Sequence, residues 1–283
     1  VSTIADSLAS VSALPGVPEA IDAARQACTT LRWHEALRRR VAEAAAESRV
    51  RGAHASAALD GAKTDLDLVR DLMRGATPWP QSPDPLEATL QGAVLATAET
   101  EHIRAMVVSA PSQALARVHA AAAGHLLPQS QVGRPRQAGE VSREFAELGP
   151  SPDETVVRAR LSGVVELLLG AKDYSAVVVA ALVHAEFATV RPFVRGNGLV
   201  ARAMDRAIIG SSGLDPTGVA VVELGHQSGG TGGGAAYLGA LAAYATGSPR
   251  GVALWITHCA EAIEAGAKEG VRIADAVLAG RLS

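Results

Sequence analysis

What is scarce in this chain excludes more than what is abundant. Its 283 residues include two cysteines, Cys28 and Cys259. That is too few for a disulfide framework, and there is no CxxC pair or clustered Cys/His ligand set. Phe, Tyr and Trp together make up 3%, which argues against a base-stacking nucleic-acid surface. The formal net charge of −3 gives no electrostatic case for nucleic acid or for a membrane surface. No stretch of 18 apolar residues runs free of charge, so no spanning helix is expected. The first residues lack a basic segment followed by an apolar core, so no signal peptide is expected either. A GxSxG nucleophile elbow is absent, because Ser228 has no glycine two residues before it. The expectation is a cytoplasmic, mainly helical protein, long enough to bury a sizeable core.

Organisation along the chain is legible at coarse grain. Residues 1–75 read as helical, with Pro15 and Pro18 in an early turn. Residues 33–58 read as one strong helix, and Gly61 suits its C-terminal cap. The proline-rich stretch 76–86 predicts an extended connector. Helical patterns resume at 86–106 and 114–125. The polar, glycine-containing segment 128–150 follows. Ser151-Pro152-Asp153-Glu154 reads as a helix start with a serine cap, proline at the first position and glutamate three residues on. That helix carries Val157, Leu161, Val164 and Leu168 along one face. Three regions are expected: an N-terminal helical region at 1–85, a core at 86–247 and a C-terminal helical extension at 248–283.

Residues 184–202 read HAEFATVRPFVRGNGLVAR and carry the most information. Residues 175–190 fit a buried helix, with Val177, Val178, Ala181, Leu182 and Phe187 apolar. Pro192 disfavours helical geometry at Arg191, so the helix should end there. Gly196-Asn197-Gly198 then supplies backbone tolerant of positive φ, and residues 200–209 read as helical again. The glycines therefore sit at a helix N-terminus, which offers unpaired N–H groups and the positive end of a dipole to a phosphate. Arg202, one turn inside, could join as a bidentate donor. The alternative is a plain glycine turn between core helices, with Arg202 solvated.

This stretch resembles the signature of the Fic family, HPFx(D/E)GNGRxxR. Pro192, Phe193, Gly196, Asn197, Gly198 and Arg202 match. Arg191 stands where the family has its histidine, Arg195 replaces the acidic residue, and Leu199 replaces the first arginine. In the family the histidine deprotonates a target hydroxyl, the acid holds magnesium, and the arginines bind the phosphates of ATP, whose AMP is transferred. Guanidinium accepts no hydrogen bond and stays protonated. It cannot ligate magnesium, which takes oxygen donors. Ordinary metal-dependent AMP transfer is therefore not expected. The three arginines carry +3 in place of the metal (Arg191, Arg195 and Arg202), which suggests binding of ATP, another nucleotide or another phosphorylated ligand without a cation. The alternative is that the extra arginines lie on an unused surface.

The resemblance implies an all-α, Fic-like helical bundle with a small β-hairpin flap. That flap would be residues 131–141, made basic by Arg134 and Arg136, and would dock a protein partner. Upstream, residues 56–61 (SAALDG) are similar to the inhibitory motif (S/T)xxxE(G/N), with Ser56, Asp60 and Gly61 at its positions. There the acid pairs with the motif's last arginine. Asp60 is one methylene shorter, so a pair with Arg202 is left open, as is a homodimer. His184 matches a common family position (HxEF) and reads as a core residue. His119, His125, His226 and His258 show no ligand spacing, and no metal site is expected. Tyr237 is a weaker nucleotide-contact candidate by resemblance.

In the glycine-rich stretch 225–234, Gly230, Gly232 and Ala235 fit GxGxxA. No acidic residue follows near 20 residues on and no strand–helix alternation flanks it, so a loop is the better reading. Three functions stay open. The first is a phosphate-binding pseudoenzyme or regulatory protein, the favoured reading. The second is a nucleotidyltransferase with another base, for which Glu186 or His184 could be proposed. The third is an interaction protein with a vestigial pocket.

Overall fold

A computed structural model describes residues 3–228 and 233–281, and every element among them is helical. The helices are α1 (Ile4–Ser12), α2 (Val17–Arg32), α3 (Val41–Leu59), α4 (Leu66–Met73), α5 (Pro85–Ile103), α6 (Pro111–Ala123), α7 (Glu154–Leu169), α8 (Ala176–Val190), α9 (Asn197–Ser211), α10 (Val222–Ser228), α11 (Gly234–Ala245) and α12 (Pro249–Leu278). Short 3-10 segments lie at Glu35–Arg38, Gln129–Gln131, Ala146–Leu148 and Ala171–Asp173.

The scarcity of rings sets the packing. With few large side chains, burial relies on Ala, Val and Leu, and helices of small residues can approach closely. α8 is predominantly apolar, with eleven of its fifteen residues buried, as befits a central helix. It packs on α9, whose residues 197–210 are all buried. α5 and α6 lie across α9, and α12 runs against α2, α10, α11 and α8. One apolar core joins Leu8 in the first helix to Val277 in the last. No helix of the described residues is long and apolar enough to cross a membrane.

Most predicted elements appear near their expected positions, including the connector before Pro85, which opens α5 behind an Asp84 capping box. Three expectations are corrected. The helix read over 33–58 is broken, with α2 ending at Arg32, a 3-10 turn at Glu35–Arg38 and α3 starting at Val41. The break turns Ala36 and Leu37 inward against α12, a tertiary gain that residues of good helix propensity do not reveal. The cap of α7 is Asp153, whose side chain accepts from Val156 N–H at 3.0 Å, not Ser151. Pro150 and Pro152 lie before the helix, where their carbonyls accept from Arg191 and Arg136.

The third correction is the flap. No strand is present among the described residues, and residues 131–141 form turns instead. Their polar groups are consumed by side chains rather than by a ladder. Arg134 forks onto Glu140 at 2.7 and 2.8 Å, and Glu140 also accepts from Gln137 N–H at 2.7 Å. Arg136 is drawn inward, its guanidinium donating to the carbonyls of Arg191, Glu140, Pro152 and Val190.

Close helix contact makes one glycine a sharp probe. A Cβ at Gly92 on α5 would overlap the Ala122 carbonyl oxygen of α6 and meet Leu199 of α9. Alanine favours an isolated helix over glycine by about 1 kcal/mol, while overpacking a core costs about 1–3 kcal/mol. We expect Gly92→Ala to lower the unfolding free energy by about 1 kcal/mol or more in urea titration. A stabilised variant would contradict this packing.

Candidate functional site

The signature residues build one loop. α8 ends where expected, with Arg191 in the left-handed region at φ 50°. Phe193 then turns into the core, 2% exposed, and stacks on His119 with ring centroids 3.8 Å apart. Asn197 holds the turn closed. Its Oδ1 accepts from Phe193 N–H and its Nδ2 donates to the Phe193 carbonyl, both at 2.9 Å. Gly196 caps α9 at φ 85°, a conformation that glycine adopts without strain.

His119 braces the loop from α6. Its Nε2 lies 3.2 Å from the Arg195 carbonyl, and its Nδ1 accepts from Gly133 N–H at 2.9 Å. One nitrogen donates and the other accepts, so the ring is neutral. Burial pushes its pKa down to about 4.

The N–H groups at the start of α9 are not empty-handed. The Glu144 carboxylate accepts from Gly196 N–H at 2.6 Å, from Asn197 N–H at 2.8 Å and from Asn197 Nδ2 at 2.7 Å. This oxyanion sits where the dipole and the orphan donors favour one. Burial and the neighbouring Asp60 push its carboxyl above the usual range, against these hydrogen bonds. Nothing in the sequence around Glu144 signals this role.

Behind the loop, Arg202 is 1% exposed. Its Nη2 pairs with Asp60 Oδ1 at 2.8 Å, and Nε donates to Ser56 Oγ at 2.8 Å. The shorter acid therefore does reach. α3 ends in a Schellman turn, with Ala62 N–H on the Ala57 carbonyl and Gly61 N–H on the Ala58 carbonyl. Gly61 at φ 89° allows that turn and delivers Asp60 to the arginine. A Cβ at Gly198 would lie 3.0 Å from Asp60 Oδ1 and 3.1 Å from Arg202 Nη1, so the ion pair crosses directly over this glycine. Nη1 makes no hydrogen bond among the described residues.

The remaining predicted residues separate. Arg191 is buried and turned away from α9. Its guanidinium donates to the carbonyls of Gly149 at 2.8 Å and Pro150 at 2.9 Å, and more distantly to those of Glu144, Phe145 and Thr189. Arg195 is exposed at the mouth of a cleft of ≈ 680 Å³. Asp60, Arg143, Glu144, Gly196, Gly198 and Tyr237 also line this cleft. The three arginines thus do not converge as their spacing suggested.

Histidines that show no ligand spacing in sequence meet in space. His184 Nδ1 lies 2.5 Å from Asp205 Oδ2 and its Nε2 2.8 Å from Tyr237 OH. His226 Nε2 reaches the same Asp205 oxygen at 3.1 Å, and its Nδ1 faces His258 Nε2 at 3.2 Å. The ligand atoms of His184, Asp205 and His226 fall within 4.8 Å of one another, with all three residues buried. A chain of hydrogen bonds from Tyr237 to His258 uses the imidazole nitrogens and Asp205 Oδ2, while the buried Asp205 Oδ1 makes no hydrogen bond among the described residues. Burial and the neighbouring histidines hold His258 down at about 3. Neither proposed alternative base lines the cleft. His184 is enclosed in this chain, while Glu186 is bound by Arg160 and accepts from Tyr244 OH at 2.9 Å. Gly230 and Gly232 of the GxGxxA pattern lie outside the described residues.

No protein-family model and no curated protein matches the chain. Solved structures do. A Fic family protein from Desulfovibrio desulfuricans G20 superposes with TM-score 0.69 at 19% identity, covering 89% of this chain and 74% of that one. Fic-1 from C. elegans superposes with TM-score 0.67 at 18% identity, covering 90% and 72%. A Fic domain containing signaling protein from Bacteroides thetaiotaomicron VPI-5482 gives 0.60 at 13%, covering 90% and 98%.

The neutral, buried histidines make stability depend on pH. The folded pKa values of His119 and His258, about 4 and about 3, lie below the usual ~6.5 of an unfolded chain. Their contribution is complete above ~6.5 and is lost as pH falls from there toward 4, where the unfolded chain binds the extra protons. His119 alone accounts for about 3 kcal/mol over that window. Denaturant titrations between pH 7 and 4 should show stability falling, less steeply in His119→Gln. Identical pH slopes in the two proteins would refute the assignment.

Proposed function

We propose, for a chain that has the Fic fold, that the cleft over α9 binds a nucleotide or another phosphorylated ligand and serves a regulatory rather than a catalytic role. The observation that carries this reading is the oxyanion already seated there. The Gly196 and Asn197 N–H groups and the Asn197 amide hold a carboxylate in the geometry that would hold a phosphate. A buried guanidinium, Arg202, stands one turn behind it. The volume of ≈ 680 Å³ lies in the range of small-molecule sites, and Arg143 and Arg195 bring positive charge to the mouth.

None of the bases considered from the sequence reaches the cleft. Arg191 accepts no hydrogen bond and faces the 144–150 backbone, while His184 and Glu186 are engaged elsewhere. Magnesium would find a single uncommitted carboxylate, Glu147, because the motif position of the acid is Arg195 and the other two acids lining the cleft are taken, Asp60 by Arg202 and Glu144 by the N–H groups.

The pairing of Asp60 with Arg202 supports a regulated site, since a ligand phosphate and Asp60 compete for one guanidinium. Calorimetric titration of ATP and ADP in excess chelator should show binding to the full chain. Asp60→Asn should tighten ATP by about tenfold, equivalent to ~1.4 kcal/mol. Incubation with ATP should leave the intact mass unchanged. Binding to neither protein without magnesium, or an AMP adduct formed on the chain, would overturn this reading.

A further inference from the structure

Two residues other than glycine adopt positive φ among the described residues, Phe145 and Arg191, both at 50°. Such conformations are strained for residues other than glycine and persist where surroundings enforce them. Here the two are in contact, because Arg191 Nη1 donates to the Phe145 carbonyl at 3.3 Å. Phe145 directly follows Glu144, the residue whose carboxylate fills the α9 donors.

The contacts form a chain with a direction. Arg136 fixes the backbone of the motif, with its N–H on the Pro192 carbonyl at 2.7 Å and its Nε on the Arg191 carbonyl at 2.8 Å. The Arg191 guanidinium in turn grips carbonyls at 144, 145, 149 and 150. Neither guanidinium has a carboxylate within ion-pair distance among the described residues. Each is spent wholly on backbone oxygens, and burial lowers the pKa of both. An arginine is suited to this task, because its planar fork meets several carbonyls at once, whereas a lysine offers one point charge. The clasped segment ends in Glu144, which faces like-charged Asp60 across the cleft. Two acidic side chains from distant parts of the chain thus meet at one cleft, one on the Arg202 guanidinium and one on the N–H groups at the start of α9.

We infer that the 142–150 loop is an intramolecular plug, with Glu144 standing in for a ligand phosphate at the start of α9 and Arg191 acting as the latch that keeps it seated. This rests on the reading of the cleft as a phosphate site and adds a second closure, independent of Asp60. The arginine at position 191 has a positive role on this account: it holds the site shut. The ligand class that opens the plug is a polyphosphate, whose oxygens replace those of Glu144 on Gly196 and Asn197 while Arg143 and Arg195 meet the remaining charge.

The experiment uses the full chain with ATP in excess chelator. Glu144→Ala should bind ATP at least tenfold more tightly than wild type, and Glu144→Gln should fall between, since its amide keeps the shape without the charge. Hydrogen exchange at the Gly196 and Asn197 amides should speed up in Glu144→Ala and slow again on adding ATP. Arg191→Met should speed exchange across 144–150 and also tighten ATP. The double variant should gain no more than Glu144→Ala alone, because the latch acts only through the plug. A purely structural Arg191 would lower Tm and leave the ATP affinity where it was. Should Arg191→Met fail to fold, the two Glu144 variants and their exchange rates decide the matter alone. If Asp60→Asn tightens ATP while Glu144→Ala does not, the plug is wrong and the phosphate site stands. If no variant binds ATP, including Asp60→Asn combined with Glu144→Ala, both are wrong.

Discussion

The first turn of α9 is buried at the floor of the cleft. Much of the site follows from that constraint. A helix start leaves donors without intrahelical partners, and a buried orphan costs about 1–3 kcal/mol. Here two of these donors, the N–H groups of Gly196 and Asn197, are satisfied from a distance, by Glu144 on the loop between α6 and α7. Arg202 on the same helix imposes a matching demand, since a buried guanidinium needs either a counter-charge or a set of carbonyls around it. Asp60, delivered by the Schellman turn at the end of α3, meets it. One helix thereby gathers two acids from two separate segments.

The rest of α9 repeats the theme. Asp205 takes two histidines, and Arg206 pairs with Glu223 at 2.8 Å while donating to Ser48 Oγ at 3.0 Å. A core poor in rings and rich in small residues leaves room for these groups, and helices at close range supply their partners. The buried polar residues tie α3, α8, α10 and α12 to α9. They act where apolar side chains alone would permit sliding, because a polar group displaced from its partner is left unsatisfied.

The motif also separates into parts with different physical duties. Phe193 and Asn197 build the turn through stacking and a pair of side-chain hydrogen bonds. Gly196 and Gly198 admit the backbone geometry and the ion pair that crosses it. These duties are independent of proton transfer, and arginine at 191 and 195 leaves them intact. The Arg191 guanidinium reaches five carbonyls, a set that no imidazole could span.

Much was legible in the sequence because its causes are local. Proline at 192 ended α8, glycine at 61 shaped the end of α3, and apolar runs marked the central helices. The resemblance of SAALDG to an inhibitory motif raised a pair of Asp60 with Arg202 but left it open, and the structure places the two 2.8 Å apart. The break at residues 33–40, the turns at 131–141, the position of Glu144, the inward path of Arg191 and the meeting of four distant histidine and aspartate side chains were not legible. Each is set by partners far along the chain: α12 for the break, Glu140 and the motif carbonyls for the turns, α9 for Glu144. Sequence alone determined where most helices run and which loop opens α9 on Gly196. Tertiary structure decided which anion sits there and which way each arginine points, because a long side chain goes where its counter-charge or carbonyls are brought, and only the packed helices bring them.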